Sequence, residues 1–364
     1  MAEPARSSDA AAHRPEETKE SIARRALIVT AVAVGVVALA LALWKLKLIV
    51  TLVFVAMTWA AAMRPGVEWL HRHRVPRAAA VLLHYFVLLG LIALFLGFVV
   101  PQLVHEVQAA LDSSGKANPH PAGVKDQLLN AIQRRLNHLP SVGKLVHPAV
   151  SAGEEALKVL VGVFFTFATA AYWIFERDRF IDFVTSFIAR PKRKKVRDTW
   201  QLIDLKLGAF VRGQLLLITI VGTVMSTAFF VVGEPYWLLL GIAVALLEII
   251  PVVGPLAALI LAVGAGLTVS FHTAALAGGS LLLLRVVQDY VINPRVLGGA
   301  VGLSPLLVLI AVSIVGVLLG PFYVLISVPL ASLLVTVMDV VVRDVDPAEA
   351  EVPTVIFSAK ETET

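Results

Sequence analysis

Apolar residues in this chain run in blocks of about twenty, the length a helix needs to cross a hydrocarbon core about 30 Å thick. The first block covers residues 26–44 and is interrupted only by Thr30. Hydrophobic residues make up 58% of the 364 residues and charged residues 16%, whereas average soluble domains have about 45–50% and about 25%. The mean hydropathy is +0.83, and a water-soluble core could not bury this much apolar surface. The sequence therefore predicts an all-α polytopic membrane protein with about eight membrane-embedded helical elements.

The N-terminal part of the chain divides into three segments. Residues 1–25 are polar and balanced in charge, which predicts a disordered cytoplasmic tail. Residues 26–102 predict transmembrane helices 1–3, the first two joined by a tight turn at Lys45-Leu46-Lys47. Residues 103–156 are too polar to cross a bilayer, and their apolar side chains recur at helical spacing. We expect this third segment to be an external amphipathic helical subdomain.

The remainder of the chain is more apolar and is divided by one basic segment. Residues 157–176 predict transmembrane helix 4. Residues 177–212 combine apolar stripes with many basic residues and predict cytoplasmic interfacial helices. Residues 213–342 predict a C-terminal transmembrane core with broken or re-entrant helices, and residues 343–364 a second disordered cytoplasmic tail.

The distribution of Lys and Arg among the loops predicts the orientation, because cytoplasmic loops carry an excess of these residues. Residues 176–212 carry ten and residues 64–77 carry four, whereas residues 103–153 carry five over a longer stretch. The first two segments are therefore expected to face the cytoplasm. Both termini then lie on the cytoplasmic side of the cytoplasmic (inner or plasma) membrane. The net charge of +5 follows from this bias and does not indicate nucleic acid as a partner.

One interruption of the apolar core combines an acidic residue with helix breakers. Two prolines remove amide donors and a glycine permits an unusual turn. Polar or broken backbone at membrane depth is tolerated only where it faces protein or a water-filled cavity. The sequence leaves two interpretations open, a re-entrant break in a substrate pathway and an ordinary loop near water. The residues concerned are Glu248, Pro251, Gly254 and Pro255.

A second interruption is polar and follows a long apolar stretch. Arg285 and Asp289 are four residues apart, so on a helix they share a face and can pair. This pair can stabilise a helix end at the interface or form part of a gate, and the sequence favours neither. The polar residues near it that complete the predicted substrate pathway are Gln288, Asn293, Pro294 and Arg295.

Two further patterns predict contacts rather than transport. Gly316 and Gly320 have the GxxxG spacing that is typical of close helix packing. A run of four basic residues beside an amphipathic segment predicts contact with anionic membrane lipids. That run consists of Lys192, Arg193, Lys194 and Lys195.

Several catalytic patterns are missing from the sequence. The chain has no cysteine, which excludes thiol catalysis and thiolate metal sites. It contains neither a GxxxxGK[ST] phosphate loop nor the HExxH and GxSxG patterns of common hydrolases. We therefore predict no enzyme, no metal site and no cofactor. The function class that remains is a pore or carrier that is driven by gradients, with a small molecule or an ion as its substrate.

The C-terminal half contains three motifs that are similar to those of a known family. Pro251-Val252-Val253-Gly254-Pro255 resembles the P-x-V-G-P signature of the autoinducer-2 exporter family, also called PerM-like permeases. The segment from Gln288-Asp289 to Asn293-Pro294-Arg295, together with Gly302-Leu303-Ser304-Pro305, resembles its second signature. Val328-Pro329-Leu330-Ala331 resembles the closing A-V-P-x-A element, with Ser327 where alanine is usual.

The resemblance implies a function and an assembly, and it shows one departure. It implies a homo-oligomer that exports small molecules, with autoinducer-2 as the namesake substrate, although other members are assigned to sodium/proton exchange. The usual G-x-x-G before the last element is here Gly320-Pro321-Phe322-Tyr323, with tyrosine in place of the second glycine.

Three hypotheses follow. The first is a secondary transporter or exporter of a small polar solute, with Glu248, Arg285, Asp289 and Asn293 lining the path. The second is a sodium/proton antiporter in which Glu248 or Asp289 binds the proton. The third is a membrane scaffold without transport, whose amphipathic helices recruit partners.

Overall fold

The computed structural model describes residues 15–91, 93–94, 97, 146–234, 236–251, 253–296, 302–350 and 352. Every regular element among these residues is helical. The chain divides into two units, Met1–Leu52 and Val53–Thr364. The helices are α1 (Pro15–Lys45), α2 (Lys47–Arg72), α3 (Arg77–Leu91), α4 (Val146–Ser186), α5 (Arg190–Val232), α6 (Trp237–Leu247), α7 (Val253–Val269), α8 (Phe271–Val287), α9 (Asn293–Val296), α10 (Pro305–Leu318) and α11 (Ser327–Val341). A π-helical turn, Gln288–Ile292, joins α8 to α9, and a 3-10 helix, Pro321–Ile326, precedes α11.

The first unit consists of α1 and the beginning of α2. Only Leu46 separates the two helices, and backbone hydrogen bonds from Leu46 to Ala42 and from Val50 to Leu46, both 2.9 Å, lie on either side of it. The helical hydrogen-bond pattern therefore continues across this one residue, and the predicted turn at Lys45-Leu46-Lys47 is not formed. Helix α1 begins at Pro15, so residues 15–25 of the predicted tail are helical, and residues 1–14 lie outside the described residues.

In the second unit, α2 packs against α3 and α4 through small and aromatic side chains. Ala56 and Ala60 of α2 are buried together with Ala170 of α4, and residues this small let two helices approach closely. The Tyr85 hydroxyl of α3 donates a 2.7 Å hydrogen bond to the carbonyl oxygen of Phe167 in α4. The predicted external subdomain lies outside the described residues up to residue 145. Its last residues form the beginning of α4.

Helices α4 and α5 contain 41 and 43 residues. At 1.5 Å per residue each is about 60 Å long, twice the thickness of a hydrocarbon core. The segments predicted as separate interfacial helices are thus extensions of transmembrane helices 4 and 5. Three residues (187–189) divide the two helices. Pro191 lies in the first turn of α5, where a missing amide proton removes no helical hydrogen bond.

The C-terminal core is formed by α5 to α8. Met225 and Phe229 of α5 are fully buried and pack with side chains of α6, α7 and α8, among them Val244, Ala262 and Ala277. Helix α6 has only 11 residues, so it extends about 16 Å. It is too short to cross a bilayer alone.

Helix α11 packs on α5, and α10 packs on α11. Lys206 Nζ of α5 donates a 3.0 Å hydrogen bond to Thr336 Oγ1 of α11. Gly316 lies in α10, close to the Val324 side chain. Gly320 lies beyond the end of α10, with a φ of 112°. The GxxxG pair therefore does not form one helix face, because the helix ends at Leu318 and Gly320 makes the turn that follows.

Six helical segments in the described residues are long and apolar enough to cross a membrane. They are Arg24–Lys45, Lys47–Arg72, Leu157–Ser186, Arg190–Val232, Phe271–Ile292 and Pro321–Val341. Shorter apolar helices accompany them, including α6 and α10. The predicted all-α polytopic membrane architecture is confirmed.

Candidate functional site

The first predicted interruption is a sharp break between α6 and α7. Glu248 is the residue that ends α6, and its backbone carbonyl accepts a 3.1 Å hydrogen bond from Gln214 Nε2 of α5. Gly254 follows in the first turn of α7, and a Cβ atom there would lie 1.9 Å from the carbonyl oxygen of Leu247. Only glycine allows this approach of two backbone segments. The break is therefore compact, and it holds the Glu248 side chain at a fixed place.

The second predicted interruption is the π-helical turn after α8. Gln288 begins the turn and is 2% exposed. A π-helical turn widens the helix by one residue, and such turns occur frequently at functional sites. The turn separates Arg285, on α8, from Asn293, at the start of α9.

The two interruptions meet at the Glu248 carboxylate. Glu248 Oε1 accepts a 2.5 Å hydrogen bond from Gln288 Nε2 and lies 3.4 Å from Arg285 Nη1. Arg285 Nε is 3.0 Å from Asp289 Oδ2, and Asn293 Nδ2 donates a 3.2 Å hydrogen bond to Asp289 Oδ1. These contacts join residues that are about 40 positions apart in the chain. We name them the bridging cluster: Glu248, Arg285, Gln288, Asp289 and Asn293.

Charge and exposure vary along the bridging cluster. The Glu248 side chain is 11% exposed, whereas those of Arg285 and Asp289 are 36% and 44% exposed. The contacts join two carboxylates to one guanidinium. Because Arg285 contacts both carboxylates, a ligand that competes for either of them changes the other pairing too.

One buried hydrogen-bond acceptor in the bridging cluster has no donor among the described residues. The Asn293 side-chain oxygen is buried and has no hydrogen-bond partner within the described part of the chain. A buried acceptor without a donor costs about 1–3 kcal/mol. A hydroxyl group, an ammonium group or a cation at this point would satisfy it.

The other predicted pathway residues surround the break and the turn. Pro251 lies in the turn between α6 and α7, and Pro255 lies in the first turns of α7. Pro294 and Arg295 lie in α9, and Arg295 is exposed. Within the described part of the chain, the Arg295 side chain has no hydrogen bond to the bridging cluster.

The basic run predicted to contact lipid begins α5. Its four residues lie in the first turns of that helix and are exposed or half-buried. Arg193 donates hydrogen bonds to the carbonyl oxygens of Ile188 (2.9 Å) and Ser186 (3.1 Å) and so closes the turn after α4. Lys195 forms an ion pair with Asp344, which follows α11. Two of the four residues thus have protein partners in addition to any lipid.

Sequence reasoning missed a second polar region, where α2, α4 and α5 meet. Arg177 of α4 forms a buried ion pair with Asp204 of α5; their side chains are 11% and 8% exposed. A cavity of about 40 Å³ adjoins it, lined in part by Arg64, Asp204 and Arg212. Arg212 donates a 3.3 Å hydrogen bond to the carbonyl oxygen of Ala62. A signal was present in the sequence, because Asp204 is an acidic residue on the apolar stripe of an amphipathic segment.

Comparison with known proteins assigns the sequence of this chain to a family. The family model described as AI-2E family transporter matches residues 33–343, which include both interruptions. The chain belongs to this family. Similar proteins include three whose names begin "Putative transport protein". YrrI of Bacillus subtilis (strain 168) is 24% identical over 290 residues, which cover 75% of this chain and 81% of YrrI.

The other two relatives are similar over comparable lengths. MT0215 of Mycobacterium tuberculosis (strain CDC 1551 / Oshkosh) is 28% identical over 306 residues, which cover 81% of this chain and 83% of the relative. YueF of Bacillus subtilis (strain 168) is 23% identical over 282 residues, which cover 70% and 74%. This member of the AI-2E family is therefore a multi-pass membrane protein with a transporter role.

No group of three or more metal-ligating side chains occurs in the described residues. The contacts observed in the bridging cluster are ion pairs and hydrogen bonds. The cluster can bind a polar solute or a cation and exchange partners as it does so.

Proposed function

We propose that this AI-2E family member is a gradient-driven secondary transporter that exports a small polar solute across the cytoplasmic membrane. Autoinducer-2-like molecules are the substrate class that the resemblance implies. The observation that carries the proposal is the bridging cluster, in which the charged and amide groups of two helix interruptions meet around Glu248.

The backbone at this site supports the proposal. Many transporters place their substrate sites at discontinuous helices, because a broken helix exposes backbone groups that an intact helix uses internally. Here α6 and α7 are short and separated by the break, and α8 is followed by a π-helical turn. Glu248, at the break, is joined to the α8 segment by side-chain contacts alone among the contacts described for the cluster, so the two sides can separate without unfolding a helix.

The electrostatics also support it. The half-exposed Arg285–Asp289 pair can open to water at little cost, because exposed ion pairs contribute about 0–1 kcal/mol. Glu248 is more buried and needs its donors from Arg285 and Gln288. A solute with hydroxyl groups can replace these donors and also donate to the unused Asn293 oxygen.

The proposal also includes the orientation and the assembly of the protein. The Lys/Arg bias of the loops supports a cytoplasmic location of both termini. The protein is proposed to be a homo-oligomer, as the family resemblance implies, in contact with membrane lipids.

The test uses purified full-length protein in liposomes and the variant Glu248→Gln. The amide keeps the shape of the side chain but removes its charge, so we expect solute flux to fall about tenfold, equivalent to about 1.4 kcal/mol of lost stabilisation. Glu176→Gln is the matched control, because Glu176 is half-exposed and contacts Arg179 only, within the described residues. Equal flux in wild type and Glu248→Gln, at equal protein levels, contradicts the assigned role of Glu248.

A second measurement places the break. The chain has no native cysteine, so Val253→Cys, at a position that is 54% exposed, gives a single labelling site. We expect small impermeant thiol reagents to label it more slowly when a transported solute is present. Rapid labelling by large and small reagents alike, unaffected by solute, would indicate an ordinary surface loop and favour the scaffold hypothesis.

Sodium/proton antiport is the second candidate function. It is favoured by the sharing of Arg285 between two carboxylates, since protonation of Glu248 or Asp289 frees the guanidinium for the other. Antiport predicts proton flux that depends on sodium and changes with pH. Flux that is constant across a pH series and indifferent to sodium excludes this function.

A further inference from the structure

The turn between α5 and α6 contains an acidic residue that the bridging cluster does not use. Helix α5 ends at Val232, and Gly233 follows in the left-handed conformation, with a φ of 81°. The backbone N–H of Glu234 donates a 3.0 Å hydrogen bond to the carbonyl oxygen of Phe229. This is a common way to end a helix with glycine, and it fixes the backbone of Glu234.

The side chain of Glu234 is buried. The residue is 2% exposed, and neither carboxylate oxygen has a hydrogen-bond partner within the described part of the chain. It lies where α7 meets the start of α8. A Cβ atom on Gly266 of α7 would lie 2.9 Å from Glu234 Oε1 and 2.5 Å from the Cα atom of Ala274 in α8. Glycine at position 266 is therefore what allows the carboxyl group and the two helices to come together.

Among the described residues, no hydrogen-bond donor stabilises the charged form of this group. An ionised carboxylate that is buried without donors is strongly unfavourable, and such groups normally become neutral instead. Of the titratable residues on the elements packed around it, Arg285 lies in the last turn of α8. The two at the near end are Tyr236, two residues after Glu234, and His272, which is exposed at the start of α8. Neither donates a hydrogen bond to the Glu234 carboxylate. Burial raises the pKa of Glu234.

Glu234 and the bridging cluster lie at opposite ends of α6. Glu248 lies at the far end of α6, and the 11 residues of that helix extend about 16 Å. The short pair α6 and α7 therefore has a glutamate at each end. Glu248 is paired with donors, whereas Glu234 packs against Gly266 and has none.

We infer that Glu234 is a proton-binding site of the transport cycle, occupied while Glu234 is packed against α7 and α8 and vacated when that contact opens to water. The proton is held on the carboxyl group of Glu234 and leaves to water when the contact opens, so no further group is needed. The inference rests on the proposed transport function and adds to it the group that carries a coupling proton.

The sign of the pH dependence follows from the burial. The packed arrangement binds the proton and the open one releases it more readily, so the packed arrangement is most stable at low pH. It loses stability as the pH rises from the ordinary range of a carboxyl group through the raised pKa of Glu234. Loss of a single proton limits the change in the opening equilibrium to about tenfold per pH unit.

The first experiment detects the proton directly. Infrared spectra of the full chain in lipid are recorded over a pH series without solute, and the band of protonated carboxyl groups is followed. We expect a component that persists to higher pH than ordinary carboxyls and that is missing in Glu234→Gln. The half-exposed Glu176→Gln serves as the control and should keep the component. A spectrum that is the same in Glu234→Gln and wild type overturns the inference.

The second experiment measures opening. Thr273, at the start of α8, is 7% exposed, so Thr273→Cys provides a buried thiol in a chain without native cysteine. Thiol reactivity itself rises with pH, so each labelling rate is divided by the rate in the Thr273→Cys, Glu234→Gln double variant. We expect this ratio to increase by up to about tenfold per pH unit over the titration range. A ratio that stays constant with pH overturns the inference.

Two further outcomes distinguish this inference from others. If sodium at constant pH slows labelling and the infrared component is missing, the site binds a cation and the inference is wrong. If the infrared component titrates but no solute moves in any variant, the proton site stands and the proposed transport fails. Should Glu234→Gln not fold, Glu234→Met is used in its place, because an apolar side chain fits the same buried space.

Discussion

The second unit contains two groups of side chains that each include an Arg–Asp ion pair, and the two groups differ in the backbone that carries them. The bridging cluster lies at a break between two short helices and at a π-helical turn. The buried pair, Arg177 and Asp204, joins α4 and α5, which are continuous over 41 and 43 residues. The members of the buried pair are about 10% exposed, whereas Arg285 and Asp289 of the bridging cluster are 36% and 44% exposed.

The difference shows what the backbone adds to an ion pair. On two continuous helices a buried pair cannot separate unless whole helices move, so it fixes their packing and specifies their register. At a helix break the same groups need only local movement to exchange partners. We propose that the buried pair is structural and the bridging cluster functional, and the following predictions test that division.

The largest expected effect is the loss of stability on removing one member of the buried pair. In Asp204→Ala, Arg177 remains buried with only the exposed Asp178 as a carboxylate contact, at 2.9 Å. Such a change costs about 3–5 kcal/mol. We expect a clear fall in the thermal unfolding temperature, measured by size-exclusion chromatography of heated, detergent-solubilised protein.

The control for the buried pair replaces both members. Arg177→Met with Asp204→Leu removes the charges together, and such replacements are often neutral in stability. We expect near-normal unfolding and retained flux. A double variant that is stable but cannot transport would show that the buried pair belongs to the functional machinery.

The second effect tests the break itself. Gly254→Ala places a methyl group 1.9 Å from the carbonyl oxygen of Leu247, and overpacking of this kind costs about 1–3 kcal/mol. The backbone must shift next to Glu248, so we expect lower flux as well as lower stability. Gly264→Ala, in the same helix but with open space around it, is the matched control and should be neutral or stabilising. Equal behaviour of the two variants would show that the close approach is not required.

The residues of the bridging cluster could be predicted from the sequence because their signals are local. Prolines and a glycine beside Glu248, and polar residues after an apolar stretch at Arg285 and Asp289, mark interruptions wherever they occur. The contact of both interruptions with one carboxylate is a feature of the tertiary structure. It depends on how α8 packs against the α6–α7 break, and no spacing in the sequence contains it.

The missed features have the same explanation. Asp204 and Arg177 are 27 positions apart, and nothing in either segment shows that they pair. A glutamate in a turn, such as Glu234, is normally expected to be exposed, and its burial follows from Gly266 far along the chain. The lengths of α4 and α5 were underestimated because a change from apolar to polar residues does not end a helix that lacks a breaker.

A smaller effect on stability is expected within the bridging cluster. Asp289→Asn keeps the shape of the side chain but removes the charge that faces Arg285. Because the pair is half-exposed, stability should change by less than about 1 kcal/mol. We expect flux in liposomes to fall several-fold, since Arg285 then pairs with Glu248 alone. A loss of stability as large as that of Asp204→Ala would mean that both groups are structural.

The smallest effect concerns the ion pair between Lys195 and Asp344, which lies outside both groups. Its hydrogen bond from Lys195 lowers the pKa of Asp344. A carboxyl group with a lowered pKa stabilises the folded protein at pH values above its ordinary pKa, and this stabilisation is lost as the pH falls through the lowered pKa. Because Asp344 is fully exposed, solvent screens this contribution, and Asp344→Asn should leave the unfolding temperature unchanged at every pH. At neutral pH the variant frees Lys195 for lipid, and binding to vesicles containing anionic lipid should increase slightly, whereas in Lys195→Gln it should decrease. If both variants bind such vesicles like wild type, Lys195 contacts no lipid and its role is limited to joining the end of α11 to the start of α5.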